Sequence, residues 1–123
     1  RTVESPRRRD APGRPLLANQ YIQIHRAELI AEIDTGTEYA YTAGERYAAG
    51  EDVSRMATIA KLKTGRLQRE VADTCVQFHG GMGYAEEMWP ARYYRDGRLT
   101  SIGGGADEVM LRVIAMMEGM GKK

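Results

Sequence analysis

The sequence predicts an all-α fold, and two observations carry that prediction. Apolar residues recur at spacings of three and four through two long stretches, 17–49 and 53–78, which is the period of a helix with one face turned inward. Strand-period alternation is absent throughout. At 123 residues the chain is one domain, large enough to bury a small core. The expected architecture is an antiparallel helical bundle.

Residues 1–15, RTVESPRRRDAPGRP, hold three prolines, five arginines and a single β-branched apolar residue, Val3. They are expected to form a basic arm, mobile or loosely docked, ahead of a helical domain at 16–123. With Glu4 and Asp10 the arm carries a local +3, whereas the remaining residues hold 13 Lys+Arg against 15 Asp+Glu. The body is mildly acidic, which speaks against a nucleic-acid surface. A polybasic arm can meet phosphates, but a solvated leader explains the same composition. The chain begins with Arg rather than Met, so a fragment, a processed product or a trimmed chain is expected.

The first helix is expected from Leu17 to about Ala49, capped by Asn19 and roughly 45 Å long. Its inward stripe would be Ile22, His25, Leu29, Ile33, Gly36, Ala40, Ala43 and Tyr47. Thr35-Gly36-Thr37 is its weakest point, where a bend or a close helix contact is expected. Gly50 closes it and Asp52 can cap the next helix. The second stripe is Val53, Ala57, Ala60, Thr64, Leu67, Val71, Thr74 and Phe78, and the short connection makes the two helices antiparallel neighbours. A short third element spans about Glu86 to Arg95, its helix starting near Trp89 because Pro90 suits a first turn. The last helix runs from about Ala106 to Met117 and stops at Gly119.

Chemistry concentrates between Gln77 and Val109, where two glycine turns, Gly80-Gly81-x-Gly83 and Gly103-Gly104-Gly105, enclose an aromatic and arginine-rich segment. The first turn closes a helix and offers a positive-φ cap at Gly80 or Gly81. The second opens a helix, whose free N–H groups and dipole favour an anion. Lying side by side at one end of the bundle, the two turns would build a backbone-lined shelf for an anionic ligand. Asp107 and Glu108 have an equal alternative role, complementing the helix N-terminus. His25, His79 and Cys75 show no metal-ligand spacing. Cys75 reads as a small buried thiol, His25 as an interior histidine and His79 as a residue able to meet a phosphate. One cysteine excludes an intrachain disulfide and suits a reducing, cytoplasmic setting. No apolar run is long enough for a membrane span.

The motifs Gln77-x-x-Gly80-Gly81-x-Gly83-Tyr84, Arg95-Asp96-x-Arg98 and Ile102-Gly103-Gly104-Gly105-Ala106-Asp107-Glu108-Val109 resemble, in order, the C-terminal signature of the acyl-CoA dehydrogenases. These flavoenzymes oxidise acyl-CoA thioesters to enoyl-CoA. The likeness reaches back through Gly13-Arg14-Pro15-Leu16-Leu17-Ala18-Asn19-Gln20 and covers about the last third of a typical member. It implies FAD as cofactor, acyl-CoA and an electron-transfer partner, a homo-oligomer, and no nucleic-acid or membrane partner. It also implies that Gln77, Gly80 and Gly81 approach the FAD pyrophosphate and ribose of a neighbouring subunit. Ala106 stands where a threonine usually meets the flavin, and Glu108 stands at a flavin-contact position. Asn19 and Leu16 match flavin-lining positions, though a helix cap and a core residue explain them as well. Arg9 stands where an arginine pairs with the pyrophosphate across the dimer, although Pro12 replaces the aromatic residue that usually follows. Arg92, Arg95 and Arg98 with Tyr93 and Tyr94 become a structural salt-bridge segment.

The departure is Gly104, which occupies the slot where many members carry the catalytic glutamate. Glycine cannot be a base, and the other family location precedes Leu16. The expected function is therefore the C-terminal domain of an acyl-CoA dehydrogenase, supplying the oligomer core and one wall of the FAD site and inactive by itself. The alternative is a non-catalytic helical oligomerisation module that has lost the flavin chemistry.

Overall fold

The computed structural model describes residues 10–11, 14–15 and 19–121. Helix α1 (Gln20–Ala48) and helix α2 (Ser54–His79) are followed by the short helices α3 (Gly81–Tyr84) and α4 (Trp89–Gly97), a 3-10 turn at Arg98–Ser101, and helix α5 (Asp107–Met117). Within the expected arm, β1 (Asp10–Ala11) pairs antiparallel with β2 (Arg14–Pro15), two residues each.

Both long helices begin and end as local chemistry dictates. The Asn19 side chain accepts a hydrogen bond from the Tyr21 N–H at 2.9 Å, which satisfies one of the orphan donors of the first turn. At the other end Gly50 takes φ +84° and turns the chain out of α1. Asp52 acts one residue before the cap position of α2, which is Val53. The Ser54 hydroxyl and N–H donate to its carboxylate at 2.6 and 3.0 Å and hold the Asp52 carboxyl below the ordinary carboxylate range.

The two long helices run antiparallel: His25 meets Thr74 and Arg46 meets Met56. Helix α5 lies antiparallel to α2 in turn, with Asp107 at Arg69 and Glu118 at Arg55. Helix α2 is the centre of the molecule and touches all four other helices and the 3-10 turn. The core gathers around it from Ile22 and Leu29 of α1 and Leu62, Ala72, Cys75 and Phe78 of α2. Pro90, in the first turn of α4, is also fully buried.

That central position corrects both expected stripes. On α1, Ile22 and Leu29 are buried, but Ile33, Ala40 and Tyr47 are exposed, because the second half of α1 has only α2 beside it. On α2, Thr74 and Phe78 are buried as expected, whereas Ala57 and Thr64 are exposed. A second stripe, at Leu62, Gly65, Arg69, Ala72, Val76 and His79, also at spacings of three and four, faces α4, the 3-10 turn and α5. A helix packed on two sides carries two stripes, and the eye finds the more apolar one.

Thr35-Gly36-Thr37 does not interrupt α1; the Thr35 hydroxyl donates back to the Ala31 carbonyl at 2.9 Å. Gly36 instead borders an apolar slot of about 230 Å³ between α1 and α2, facing Ile59, Ala60 and Leu67. A Cβ added at Gly36 or at Gly44 meets nothing within 4 Å. Gly36→Ala and Gly44→Ala are each expected to stabilise the domain by about 0.5–1 kcal/mol through helix propensity, measured as an upward shift of the urea midpoint at unchanged slope.

Candidate functional site

The first glycine turn leaves the end of α2 through Gly80, whose φ of +65° and ψ of −147° belong to a region open essentially to glycine alone. Its N–H donates to the Gln77 carbonyl at 3.1 Å. Gly81 is the first residue of α3 and has no positive φ. It is exposed, with open space where a Cβ would stand. Gln77 is exposed beside it. Gly83 serves a different purpose: a Cβ there would lie 2.5 Å from the Val76 carbonyl oxygen and 2.8 Å from the His79 Cβ. It lets α3 fold back onto α2.

Neither histidine faces a ligand. The His79 Nδ1 donates to the Cys75 carbonyl at 2.6 Å, and its ring meets Trp89 edge-on at 5.3 Å. The expectation that His79 meets a phosphate is therefore corrected: this ring is buried in the packing of α2 against α4. His25 behaves as expected, half-buried, with Nε2 2.9 Å from the Thr74 hydroxyl and its ring edge-on to Phe78. The contacts of His25 place the start of α1, with Asn19, at the level where α2 ends.

The second glycine turn lies elsewhere. Gly104 and Gly105 take φ of +73° and +121°, and Ala106 precedes α5 with no side-chain cap. Lys61, in the first half of α2, donates through Nζ to the Gly105 carbonyl at 2.6 Å and to the Thr100 carbonyl at 3.1 Å. The rise along α2 to His79 is about 15 Å from Arg69, which holds Asp107, and about 27 Å from Lys61. The single shelf built from both turns is thereby corrected: Gln77, Gly80, Gly81 and Asn19 gather at the C-terminal end of α2, and Gly104, Ala106 and Glu108 lie beside its middle, between Lys61 and Arg69. Sequence spacing could not show this, because α4 and the 3-10 turn carry the chain back along α2 before the second turn forms.

Asp107 is the nearest carboxylate to Gly104 in sequence, and it is turned away and engaged. It lies 2.7 Å from Arg69 Nη2 and 3.8 Å from Arg66 Nε, with its side chain 11% exposed. Glu108 is exposed at the same helix start. Arg92, Arg95 and Arg98 form no ion pair with a described residue, which corrects the salt-bridge segment. Arg92 and Arg95 instead line an open groove of about 800 Å³ with Tyr84 and Glu86. A second groove, of about 750 Å³, alternates acids and bases such as Glu28, Glu32, Arg66 and Asp73. Neither groove contains Gln77, Gly80, Gly81, Ala106 or Glu108; Gln77, Gly81 and Glu108 are exposed, and Gly80 and Ala106 half-buried. Arg9 and Leu16 lie outside the described residues. Among the described residues no cluster of histidine, cysteine or acidic side chains could hold a metal ion, and no helix is long and apolar enough to cross a membrane.

A long central helix flanked by antiparallel partners, with one glycine turn at its C-terminal end and another beside its middle, defines a helical-bundle domain. The chain belongs to the acyl-CoA dehydrogenase family: residues 1–118 match the profile of the acyl-CoA dehydrogenase C-terminal domain. It is 35% identical over 105 residues to the probable acyl-CoA dehydrogenase YdiO of Escherichia coli, covering 85% of this chain and 27% of that protein. A putative acyl-CoA dehydrogenase from Mycobacterium smegmatis superposes with a TM-score of 0.93 at 37% identity, over 98% of this chain and 32% of that one. Butyryl-CoA dehydrogenase from Megasphaera elsdenii superposes with a TM-score of 0.91 at 32% identity, over 95% and 30%. The chain thus spans about a third of the length of the relatives it matches.

Proposed function

We propose that the chain forms the C-terminal part of an FAD-dependent acyl-CoA dehydrogenase, where it supplies the oligomer core and part of the FAD site. The observation that carries this reading is the separation of the glycine turns. Separated by about 15–27 Å along α2, they do not converge on one pyrophosphate, yet each keeps the exposed backbone that an anion contact needs. On this reading each serves a different cofactor, the other half of each site coming from a second copy of the chain. Gln77, Gly80 and Gly81 would face the pyrophosphate and ribose of a neighbouring subunit's FAD, Arg9 would pair with the pyrophosphate, and Asn19 would line the flavin. Ala106 and Glu108 would face the flavin at the other turn.

The residues fit the backbone contacts of a dinucleotide: Gly80 adopts a conformation closed to other residues, Gly81 leaves room for close approach, and α5 presents its free N–H groups. Ala106 offers no hydroxyl to the flavin. When bound, FAD supplies the hydride acceptor, and acyl-CoA and an electron-transfer partner would complete the cycle in the whole protein. Gly104 cannot take the α-proton, so the 123 residues alone are expected to be inactive. The second reading, a helical oligomerisation module without flavin chemistry, draws on the same two positions, Gly104 and Ala106.

The apolar surface supports an oligomer. Tyr21, Ile24, Ile30, Ile33, Tyr41 and Tyr47 of α1 and Leu111, Met116 and Met117 of α5 are all exposed, apolar surface that a second copy of the chain could cover. Sedimentation at micromolar concentration is expected to show dimers or larger species, and a well-behaved monomer would defeat the oligomer role. Titration with FAD, read by its absorbance and fluorescence, separates the two functional readings. Weak binding lost in Gly81→Val supports the cofactor site, since the open position of Gly81 lets that variant fold, as circular dichroism would verify. Equal affinity in the folded variant reduces the turn to a helix cap.

A further inference from the structure

The second glycine loop is seated on α2 by three residues that are not themselves apolar side chains, Lys61, Gly65 and Arg69. Lys61 Nζ spans the loop, from the Thr100 carbonyl before it to the Gly105 carbonyl at its exit. One turn on, Gly65 is buried where a Cβ would lie 2.8 Å from the Ser101 hydroxyl, so the 3-10 turn closes directly onto the helix. One turn further, Arg69 holds the Asp107 carboxylate at 2.7 Å. Positions 61, 65 and 69 are i, i+4 and i+8 and so share one face of α2.

The consequence falls on the direction of the loop's backbone. Its carbonyls at Thr100 and Gly105 are drawn toward the helix by an ammonium group, and such charge-assisted bonds are roughly twice as strong as neutral ones. Among the described residues the N–H groups of Gly104 and Ala106 donate to no backbone carbonyl, and Gly104 is exposed. A Cβ at Gly104 would stand 3.7 Å from Lys61 Cε, so the lysine stem also forms the floor beneath that slot. We infer that Lys61 is a positioning residue for the cofactor loop. It fixes the loop so that the N–H groups of Gly104 and Ala106 are left for a ligand and adds positive charge beside the start of α5, so that an anionic dinucleotide meets donors already in place. The role rests on the FAD assignment made above only for the identity of that ligand.

The test compares the wild-type chain with Lys61→Met, which keeps the apolar stem, and Lys61→Arg, which keeps the charge. Backbone 15N order parameters of Gly104 and Gly105 are expected to fall into the flexible range, below about 0.6, in Lys61→Met, while those of α1 stay unchanged. Lys61→Arg is expected to recover most of the loop order. FAD affinity, by fluorescence titration, is expected to fall about tenfold in Lys61→Met, in line with a lost charge-assisted hydrogen bond. An ordered loop in a folded Lys61→Met chain, or order lost equally in α1 and the loop, overturns the assignment. A loosened loop in a chain whose wild type binds no FAD upholds Lys61 and sinks the cofactor reading instead.

Discussion

Replacing Gly83 by alanine is expected to cost the domain about 3 kcal/mol, near the top of the range for overpacking a tight contact. The added methyl would stand 2.5 Å from the Val76 carbonyl oxygen, 2.8 Å from the His79 Cβ and 3.1 Å from the Val76 Cα. Two of these three atoms are backbone of the central helix, so no rotamer change relieves the clash. The third belongs to a histidine pinned by its bond to Cys75 and by Trp89. Either α3 lifts off α2 or the end of α2 unwinds. For a domain of this size, with a total stability on the order of 6–18 kcal/mol, the loss is a substantial fraction. Gly81→Ala, two residues away in the same motif, meets open space and is expected to change stability by less than about 0.5 kcal/mol. Urea unfolding of both variants decides the matter: equal midpoints would mean that Gly83 does not serve a close approach.

The contrast between Gly81 and Gly83 shows what the sequence could and could not disclose. A run Gly-Gly-x-Gly announces a turn, but three glycines in one motif are there for three reasons. Gly80 supplies a positive φ, Gly83 a missing side chain and Gly81 an open surface. The long helices, their caps at Asn19 and Gly50 and their antiparallel order were legible, because each depends on residues close in sequence. The burial of half of α2 was not, because its second stripe mixes Leu62 and Ala72 with Gly65, Arg69 and His79. Those polar members are inward-facing only because α4, the 3-10 turn and α5 arrive to meet them. Lys61 was missed for the same reason. A lysine on a long helix reads as solvated until the carbonyls of Thr100 and Gly105 are seen against it. The spacing Lys61-Gly65-Arg69 was the available signal, a glycine flanked at four residues by cations on one helix face.

The placement of the two glycine turns was misjudged on physical grounds that generalise. Helix ends that both carry glycine invite the assumption that they are neighbours, yet the connection between them decides. Here nine residues of α4 and four of the 3-10 turn return the chain along α2 toward Lys61. The separation that results divides the one imagined shelf into two places, and the proposed function assigns each of them to a different cofactor.

Replacing Asp107 by alanine is expected to cost about 2 kcal/mol and to loosen the start of α5. Its carboxylate does two things at once. It pairs with Arg69 at 2.7 Å and with Arg66 at 3.8 Å, and as the first residue of α5 it sets a negative charge at the positive end of the helix. Removing one member of a fully buried pair costs about 3–5 kcal/mol, but the Arg69 and Arg66 side chains are 36% and 47% exposed, and water screens a good part of that. The helix contribution adds about 0.3–1 kcal/mol. Against both stands the Asp107 Oδ1 atom, buried without a partner, whose removal returns some of the loss. Asp107→Asn keeps an acceptor for Arg69 and is expected to cost about half as much. Glu108→Ala, at the exposed neighbouring position, is expected to change stability by less than about 0.5 kcal/mol. Urea unfolding of the three variants should give the order Asp107→Ala, Asp107→Asn, Glu108→Ala. Raising the salt to about 1 M, where the screening length is about 3 Å, should narrow the difference between the first two. A loss in Glu108→Ala equal to that in Asp107→Ala would show that the helix charge alone matters and that the ion pair with Arg69 contributes nothing.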